Sequence, residues 1–296
     1  MQLRKQLEMI RFSHTVFALP FALLAAVMAW TAQPRPPWRW LDLAGIVLCM
    51  VAARSAAMAF NRIVDRKMDA RNPRTADRHL PSGQLSVASV AGFAAACSAL
   101  FVTATLLFLP HNPLPVFLSV PVLLFLLGYS YSKRFTALAH FWLGAALMLA
   151  PICAWIAIRG NLVLANLHDL LPAVILGGSV MMWVAGFDMI YACMDVDFDR
   201  KENLKSVPNR IGISGALRLS AACHVGTIIL LVILPLEFPI LGWIYWCGVG
   251  LIATLLVYEH AIIRPDDLSR AGVAFFNVNA VISIGLFLVG TVDLLT

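Results

Sequence analysis

The sequence is poor in charged residues and has no cysteine pattern that could cross-link it. Only 13% of its 296 residues are Asp, Glu, Lys or Arg, whereas soluble domains carry about 25%. The six cysteines are scattered and none forms a C-x-x-C pair, which argues against a disulfide framework or a zinc site. This shortage of charge, together with 60% hydrophobic residues and a mean hydropathy of +0.82, indicates a membrane protein.

Apolar runs long enough to cross a bilayer recur along the whole chain. A transmembrane helix needs roughly 20 apolar residues, and the continuous rather than alternating hydrophobicity argues against a β-barrel. Nine runs lie near residues 14–32, 42–60, 85–109, 113–130, 137–158, 169–194, 213–235, 239–262 and 271–293. We therefore expect an all-α polytopic membrane bundle of about nine transmembrane helices around a central cavity, forming one domain over residues 1–296.

The basic residues predict the orientation of this bundle. Of the 22 Lys and Arg residues, 18 fall in the N-terminal segment or in the stretches after even-numbered runs. The positive-inside rule places these regions in the cytoplasm, so we expect an integral protein of the bacterial inner membrane with a cytoplasmic N-terminus. Topology also explains the net charge of +6 without a nucleic-acid partner. Leu3, Leu7 and Ile10 at helical spacing predict a short interfacial helix at the N-terminus.

Two aspartate-rich segments interrupt the apolar chain at matching topological positions. Each has polar residues at a spacing of four: Asn61, Asp65 and Asp69, and then Tyr191, Asp195 and Asp199. Residues four apart share one face of a helix, so the members of each set can point together. Each set follows an even-numbered run, four spans apart. We expect the two sets to lie at the cytoplasmic ends of their spans and to face each other across a cavity.

Half of the sixteen acidic residues fall within 65–77 and 188–202. Oxygen ligands without nearby His or Cys favour Mg²⁺ over zinc, and Mg²⁺ commonly binds one or two carboxylates together with substrate phosphates. The acids could instead simply neutralise neighbouring Lys and Arg residues. Two copies at matching positions favour a functional site, because ionisable residues in membrane segments usually mark one. The pattern therefore indicates a Mg²⁺-dependent enzyme acting on a diphosphate.

Several motifs in the same order resemble those of the UbiA-type intramembrane prenyltransferases. The resemblance is carried by Arg54 seven residues before Asn61, by both aspartate motifs, by the loop 74–83, by Tyr129-Ser-Tyr-Ser-Lys133-Arg134, and by Lys205-Ser206. It covers essentially the whole chain. It implies the fold of that family, a central cavity, and an apolar groove open to membrane lipid for a polyprenyl tail.

The resemblance also implies a role for each matching residue. The metal ligands would be Asn61, Asp65, Asp69, Asp195 and Asp199. The diphosphate would be contacted by Arg66, Lys133, Arg134 and Lys205. Arg54 would lie beside the aromatic acceptor, whose carboxylate would suit a bidentate guanidinium. The catalytic cavity would contain Arg54, Asp188 and Tyr191, with Asp188 as the candidate base.

The sequence departs from the family pattern in one place. Many members carry a second acid directly after the motif Asn, where this chain has Arg62. The first set thus has one possible ligand fewer, while the second set keeps an additional acid, Asp197.

These observations predict transfer of a polyprenyl group from polyprenyl diphosphate to an aromatic acceptor. The acceptor that we expect is 4-hydroxybenzoate, for ubiquinone biosynthesis. A naphthoate-type precursor of menaquinone is the alternative, and the opening 12–20 together with Arg62 keeps it open. A secondary transporter is a further alternative, since transporters also contain intramembrane acids. Its sites usually lie near the bilayer midplane, whereas these acids lie at the ends of spans.

Overall fold

The computed structural model describes residues 2–10 and 17–296, which are mostly helical. The α-helices are α1 (Gln2–Met9), α2 (Leu19–Thr31), α3 (Trp40–Asp69), α4 (Val87–Ala104), α5 (Leu114–Gly128), α6 (Ser132–Phe135), α7 (Ala139–Ala165), α8 (Leu171–Ala192), α9 (Val196–Lys201), α10 (Val207–Glu237), α11 (Trp243–Ala261), α12 (Ala271–Val273) and α13 (Asn279–Leu295). Short 3₁₀ turns extend several of them, and a π-helix (Ala274–Val278) precedes α13. The predicted all-α class is therefore confirmed.

Eight helical segments among the described residues are long and apolar enough to cross a membrane. They match the second to ninth predicted runs, with bounds that differ by several residues. The first run, near 14–32, corresponds in its described part to α2, which has only 13 residues. The chain is thus an integral membrane protein, and its described part contains eight span-length helices and one shorter apolar helix.

The described chain divides into two compact units. The first unit contains residues 2–10 and 40–131, and in it α3 packs against α4 and α5. Met9 and Ile10, at the end of α1, are buried in a cluster with Ala59 of α3 and Val90 of α4. The predicted N-terminal helix is present, and its end is anchored by apolar packing while Leu7 is exposed.

The second unit contains residues 17–39 and 132–296. Here α8 packs against α7 and α10, and α2 packs against α7 and α13. The axes of α7 and α8 approach closely because Gly144 and Gly177 have no side chains. A Cβ atom on Gly177 would lie 3.0 Å from the carbonyl oxygen of Met148. Small residues at such crossings let helix backbones pack closely in a membrane protein.

A buried arginine secures the end of α2 within this second unit. Arg159 on α7 pairs with Asp169, and its Nη1 donates to the carbonyl oxygens of Ala29, Ala32 and Pro34 at 2.9–3.3 Å. Terminal carbonyls of a helix have no intrahelical partner, so this guanidinium satisfies groups that lipid could not. The charge of Arg159 therefore has a structural explanation.

One glycine explains a difference between the predicted and observed seventh span. The run was expected to begin near 213, whereas α10 begins at Val207. Gly212 has a φ of +75°, which interrupts the helical backbone between these points. Such a φ is readily adopted only by glycine. The first residues of α10 thus form a separate turn ahead of the apolar span.

Candidate functional site

The first aspartate set lies on the last turns of one continuous helix, α3. The amide nitrogen of Asn61 donates to Oδ2 of Asp65 at 2.8 Å, and both side chains are half-buried. Asp69, one turn further on, is the last residue of the helix and is buried. The predicted shared face is present here. The bond to Asp65 occupies the amide NH₂ of Asn61 and leaves its oxygen for other partners.

Only one of the two carboxylate oxygens of Asp69 has a hydrogen-bond partner among the described residues. Its Oδ1 accepts a hydrogen bond from Arg78 at 2.7 Å, and its backbone carbonyl accepts one from the hydroxyl of Thr75 at 3.0 Å. Its Oδ2 is buried and has no hydrogen-bond partner among the described residues. The loop after α3 therefore folds back onto the helix end and fixes Asp69 with one oxygen unsatisfied.

The second aspartate set has the same spacing on a different backbone. Asp188 and Tyr191 lie on α8, which ends at Ala192, and a 3₁₀ turn (Cys193–Asp195) joins it to α9. The expectation that residues 191, 195 and 199 share one α-helical face is therefore wrong. Acidic residues are unfavourable at a helix C-terminus and favourable at an N-terminus. Ending α8 early places Asp197 and Asp199 in the first turn of α9.

Burial nonetheless repeats the order found in the first set. Asp195 is half-buried and Asp199 is buried, whereas Asp197 is exposed. The side chain of Ser206 hydrogen-bonds Asp199. Oδ2 of Asp199 is buried without a hydrogen-bond partner among the described residues, as is Oδ2 of Asp69. The last aspartate of each set thus has one oxygen paired and one buried and unsatisfied.

Basic residues of the second unit cluster beside its aspartates. Lys133 and Arg134 form the short helix α6, and Lys133 attracts both Asp188 and Asp199 electrostatically. The backbone N–H of Lys205 donates to the carbonyl of Lys133 at 2.7 Å. Nζ of Lys205 donates to the carbonyl of Phe135 at 3.1 Å. The structure therefore brings together the predicted lysines and aspartates of this unit.

The basic residues predicted on α3 have different environments. Arg54 is half-buried, and it makes no hydrogen bond or ion pair with any residue that the structure describes. Arg66 is exposed, and its Nη1 donates to the carbonyl of Ile63 at 2.9 Å. Arg54 is thus a cation whose counter-ion is not supplied by the described part of the chain.

Two hydrogen bonds of residues at or near the aspartate sets could not be predicted from the sequence. Arg62 is buried, and its Nε donates to the carbonyl of Met9 at 3.5 Å. The residue that departs from the family pattern therefore helps to fix the end of α1. Nδ1 of His140 lies 2.7 Å from Oδ2 of Asp188. The sequence could not indicate this contact, because the two residues are 48 positions apart and no local pattern links them.

The donors of each aspartate set, taken separately, suit a divalent cation that also binds a phosphate. Two buried carboxylate oxygens without partners are costly unless something satisfies them. Within residues 2–10 and 17–296, no three His, Cys, Asp or Glu side chains form a ready-made cage. Mg²⁺ seldom needs such a cage, since it retains waters and substrate phosphates among its ligands. The residues present therefore suit Mg²⁺ better than a structural metal.

Comparison with known proteins agrees with this chemistry. The model of the UbiA prenyltransferase family matches residues 18–281. The 4-hydroxybenzoate octaprenyltransferase of Vibrio parahaemolyticus is 33% identical over 260 residues, 86% of each chain. The enzyme of that name from Nitrosomonas eutropha is 32% identical over 256 residues, 82% of each chain. The matched region contains both aspartate sets.

Solved structures show the same fold. A UbiA homolog from Aeropyrum pernix K1, in its apo form, aligns with a TM-score of 0.83 at 34% identity, covering 95% of this chain and 98% of its own. A UbiA homolog from Archaeoglobus fulgidus bound to GPP and Mg²⁺ aligns with a TM-score of 0.65 at 17% identity, covering 99% and 100%. That homolog has also been solved with Cd²⁺. Divalent metal binding is therefore found among proteins of this fold.

Proposed function

The chain belongs to the UbiA prenyltransferase family, and from this premise we propose that it transfers a polyprenyl group from polyprenyl diphosphate to 4-hydroxybenzoate. The product would be a ubiquinone precursor. The names of the relatives support this acceptor over the naphthoate-type alternative. Family membership also disfavours the secondary transporter. The observation that carries the proposal is the buried, unsatisfied oxygen on the last aspartate of each set.

Mg²⁺ is the proposed cofactor, held by Asn61, Asp65, Asp69, Asp195 and Asp199. When bound, it would offset the negative charge that develops on the leaving diphosphate. The unsatisfied oxygens of Asp69 and Asp199 support this assignment, because coordination would compensate their burial. That both sets serve one diphosphate stays a prediction from their matching sequence positions.

The basic residues would bind the diphosphate directly. The proposed contacts are Arg66, Lys133, Arg134 and Lys205. Lys133 already attracts Asp199, a proposed metal ligand, and Asp188, the proposed base, so it lies close to both parts of the proposed site. Arg66 is exposed, and one of its N–H groups donates to a backbone carbonyl. Its other N–H groups would donate to a phosphate.

Arg54 would bind the carboxylate of the aromatic acceptor. A half-buried guanidinium that receives no counter-ion from the described residues is costly, and a bidentate carboxylate would compensate that cost. Asp188 would accept the ring proton, and Tyr191 would line the cavity. The polyprenyl tail would lie among apolar side chains and membrane lipid. The N-terminus and the loops after even-numbered runs would be cytoplasmic, in the inner membrane of a bacterium.

The proposed transfer breaks one C–O bond and one ring C–H bond and forms one C–C bond. The diphosphate contacts weaken the allylic C–O bond, and its electron pair leaves with the diphosphate oxygen. The allylic carbon bonds to the ring carbon ortho to the phenol. The ring then loses a proton and regains aromaticity. Exclusion of water matters, because water would otherwise capture the allylic cation.

A direct assay tests the proposal and its alternatives. Purified protein in lipid vesicles would be given a polyprenyl diphosphate and Mg²⁺, with 4-hydroxybenzoate or a dihydroxynaphthoate as acceptor. We expect a prenylated hydroxybenzoate and stoichiometric diphosphate, with neither formed in excess chelator. A prenylated naphthoate alone would favour the menaquinone route. Absence of prenylated product with every phenolic acceptor would refute the proposal.

A further inference from the structure

His140 is a buried histidine whose two ring nitrogens are both engaged. Its Nε2 lies 3.3 Å from the backbone nitrogen of Val207, and its Nδ1 lies 2.7 Å from Oδ2 of Asp188. A backbone N–H can only donate, so Nε2 is the nitrogen without a proton. Nδ1 therefore carries the proton, and its N–H donates a hydrogen bond to the carboxylate of Asp188. The bond at one ring nitrogen thus sets the tautomer at the other.

The partner at Nε2 comes from the start of a helix. Val207 is the first residue of α10 after the N-cap Ser206, whose hydroxyl accepts from the N–H of Asn209. The first N–H groups of a helix have no intrahelical acceptor. The amide of Val207 is thus held in place by α10 and can fix the ring of His140, the second residue of α7.

Asp188 receives only one hydrogen bond from the described chain. Oδ2 accepts from His140, while Oδ1 has no hydrogen-bond partner there and is not completely buried. The side chain of Asp188 is 15% exposed and that of His140 is 0% exposed. One carboxylate oxygen is therefore fixed from behind by a rigid donor, and the other remains accessible.

We infer that His140 is a positioning residue, which holds Asp188 with Oδ1 directed to receive the ring proton during prenyl transfer. This inference rests on the proposed function. After the new C–C bond has formed, the ring C–H bond breaks, its proton moves to Oδ1, and its electron pair restores the aromatic ring. His140 keeps its own proton throughout. Its N–H orients the carboxylate, as the outer hydrogen-bond partners of a metal site orient the ligands.

The first test compares His140→Leu with His140→Gln. The leucine removes both hydrogen bonds, whereas the glutamine amide can donate to Asp188 and accept from Val207. We expect His140→Leu to lower kcat by about 100-fold, which is the lower end of the effect of a general base. His140→Gln should lower kcat by no more than about 5-fold, because it keeps both hydrogen bonds. The KM for prenyl diphosphate should change little in either. A His140→Leu variant with kcat within about 3-fold of the wild type would overturn the inference.

Two further readouts separate positioning from mere structural support. An acceptor deuterated at the reacting ring carbon should slow His140→Leu but not the wild type, because proton removal would become rate-limiting. His140→Leu combined with Asp188→Asn should be no slower than Asp188→Asn alone. The inference would be overturned if the double variant were slower than Asp188→Asn alone. It would also be overturned if the deuterated acceptor did not slow His140→Leu. A wild type that transfers no prenyl group would instead refute the proposed function.

Val207→Pro provides a test that does not depend on how His140→Leu folds. Proline is accepted at the first position of a helix, and Ser206 is already extended (φ −130°, ψ 160°), as a residue before proline should be. The variant removes the N–H that fixes the tautomer and also places the proline Cδ where that hydrogen pointed, so the ring of His140 has to move. Val207→Ala controls for the lost side chain. We expect kcat to be about 10-fold lower in the proline variant than in the alanine variant. Equal values would overturn the inference.

Discussion

The two aspartate sets have the same residue spacing but different backbone conformations. Residues 61, 65 and 69 lie on the uninterrupted helix α3, whereas 191, 195 and 199 are divided by a 3₁₀ turn between α8 and α9. Each set still ends in a buried aspartate with one unsatisfied oxygen. The shared feature is therefore the state of the carboxylates, and the local helix geometry can differ.

The partner of that last aspartate also differs between the sets. Asp69 is paired with a cation, Arg78, from the loop that follows α3. Asp199 is paired with the neutral hydroxyl of Ser206 and is attracted by Lys133. The first set thus contains its own charge balance, whereas the second places its carboxylate beside a residue proposed to bind substrate. This difference suggests that the second set is the more closely coupled to the diphosphate.

The largest predicted effect tests whether the two sets are equivalent. Asp65→Asn and Asp195→Asn should each lower kcat/KM by roughly 10³-fold, because a bound metal supplies several kcal/mol of transition-state stabilisation. The measurement is prenyl transfer at saturating Mg²⁺, with protein folding checked by thermal unfolding in detergent. A variant of either residue with near-normal turnover would remove its set from the proposed metal site.

The next effect concerns the different partners of the buried aspartates. Arg78→Ala should lower the free energy of unfolding by about 2–3 kcal/mol, since it leaves the carboxylate of Asp69 with no charged partner. Ser206→Ala should cost about 2–3 kcal/mol as well, because it removes both the hydrogen bond to the carboxylate of Asp199 and the cap of α10. Chemical denaturation in a defined detergent would measure both. A loss below about 1 kcal/mol in either variant would contradict the partner assigned to that aspartate.

The sequence predicted the class of fold and the chemistry of the site because both depend on local patterns. Long apolar runs indicated the helices, and the four-residue spacing indicated the aspartate sets. The break after Ala192 was missed, because the four-residue spacing of the polar residues continues unchanged across the 3₁₀ turn.

Contacts between distant parts of the chain were beyond sequence reasoning. His140 with Asp188, and Arg62 with Met9, join residues 48 and 53 positions apart. Such pairs depend on how helices pack, which no local motif records. Arg62 had been read only as a missing ligand, yet burial gives it a structural role.

A smaller effect is expected at Arg62 itself. Arg62→Leu should lower the free energy of unfolding by about 1 kcal/mol or more, because it removes a buried guanidinium that donates to the carbonyl of Met9, while the apolar replacement fills part of the space. Arg62→Asp, which inserts the acid that many relatives carry, should cost more, since it buries a carboxylate where a cation stood. Thermal unfolding of the two variants would compare them. A leucine variant less stable than the aspartate variant would contradict the assigned role.

The smallest predicted effect asks whether the second set has an additional ligand. Asp197 is exposed and lies in the first turn of α9, where a negative charge contributes about 0.3–1 kcal/mol to helix stability. Asp197→Asn should therefore change prenyl transfer by less than about twofold, while the neighbouring Asp195→Asn abolishes most of it. Titrating Mg²⁺ in the assay makes the test sharper. A raised Mg²⁺ requirement in Asp197→Asn would mean that the second set supplies a ligand with no counterpart in the first, since the corresponding position there is the exposed Lys67.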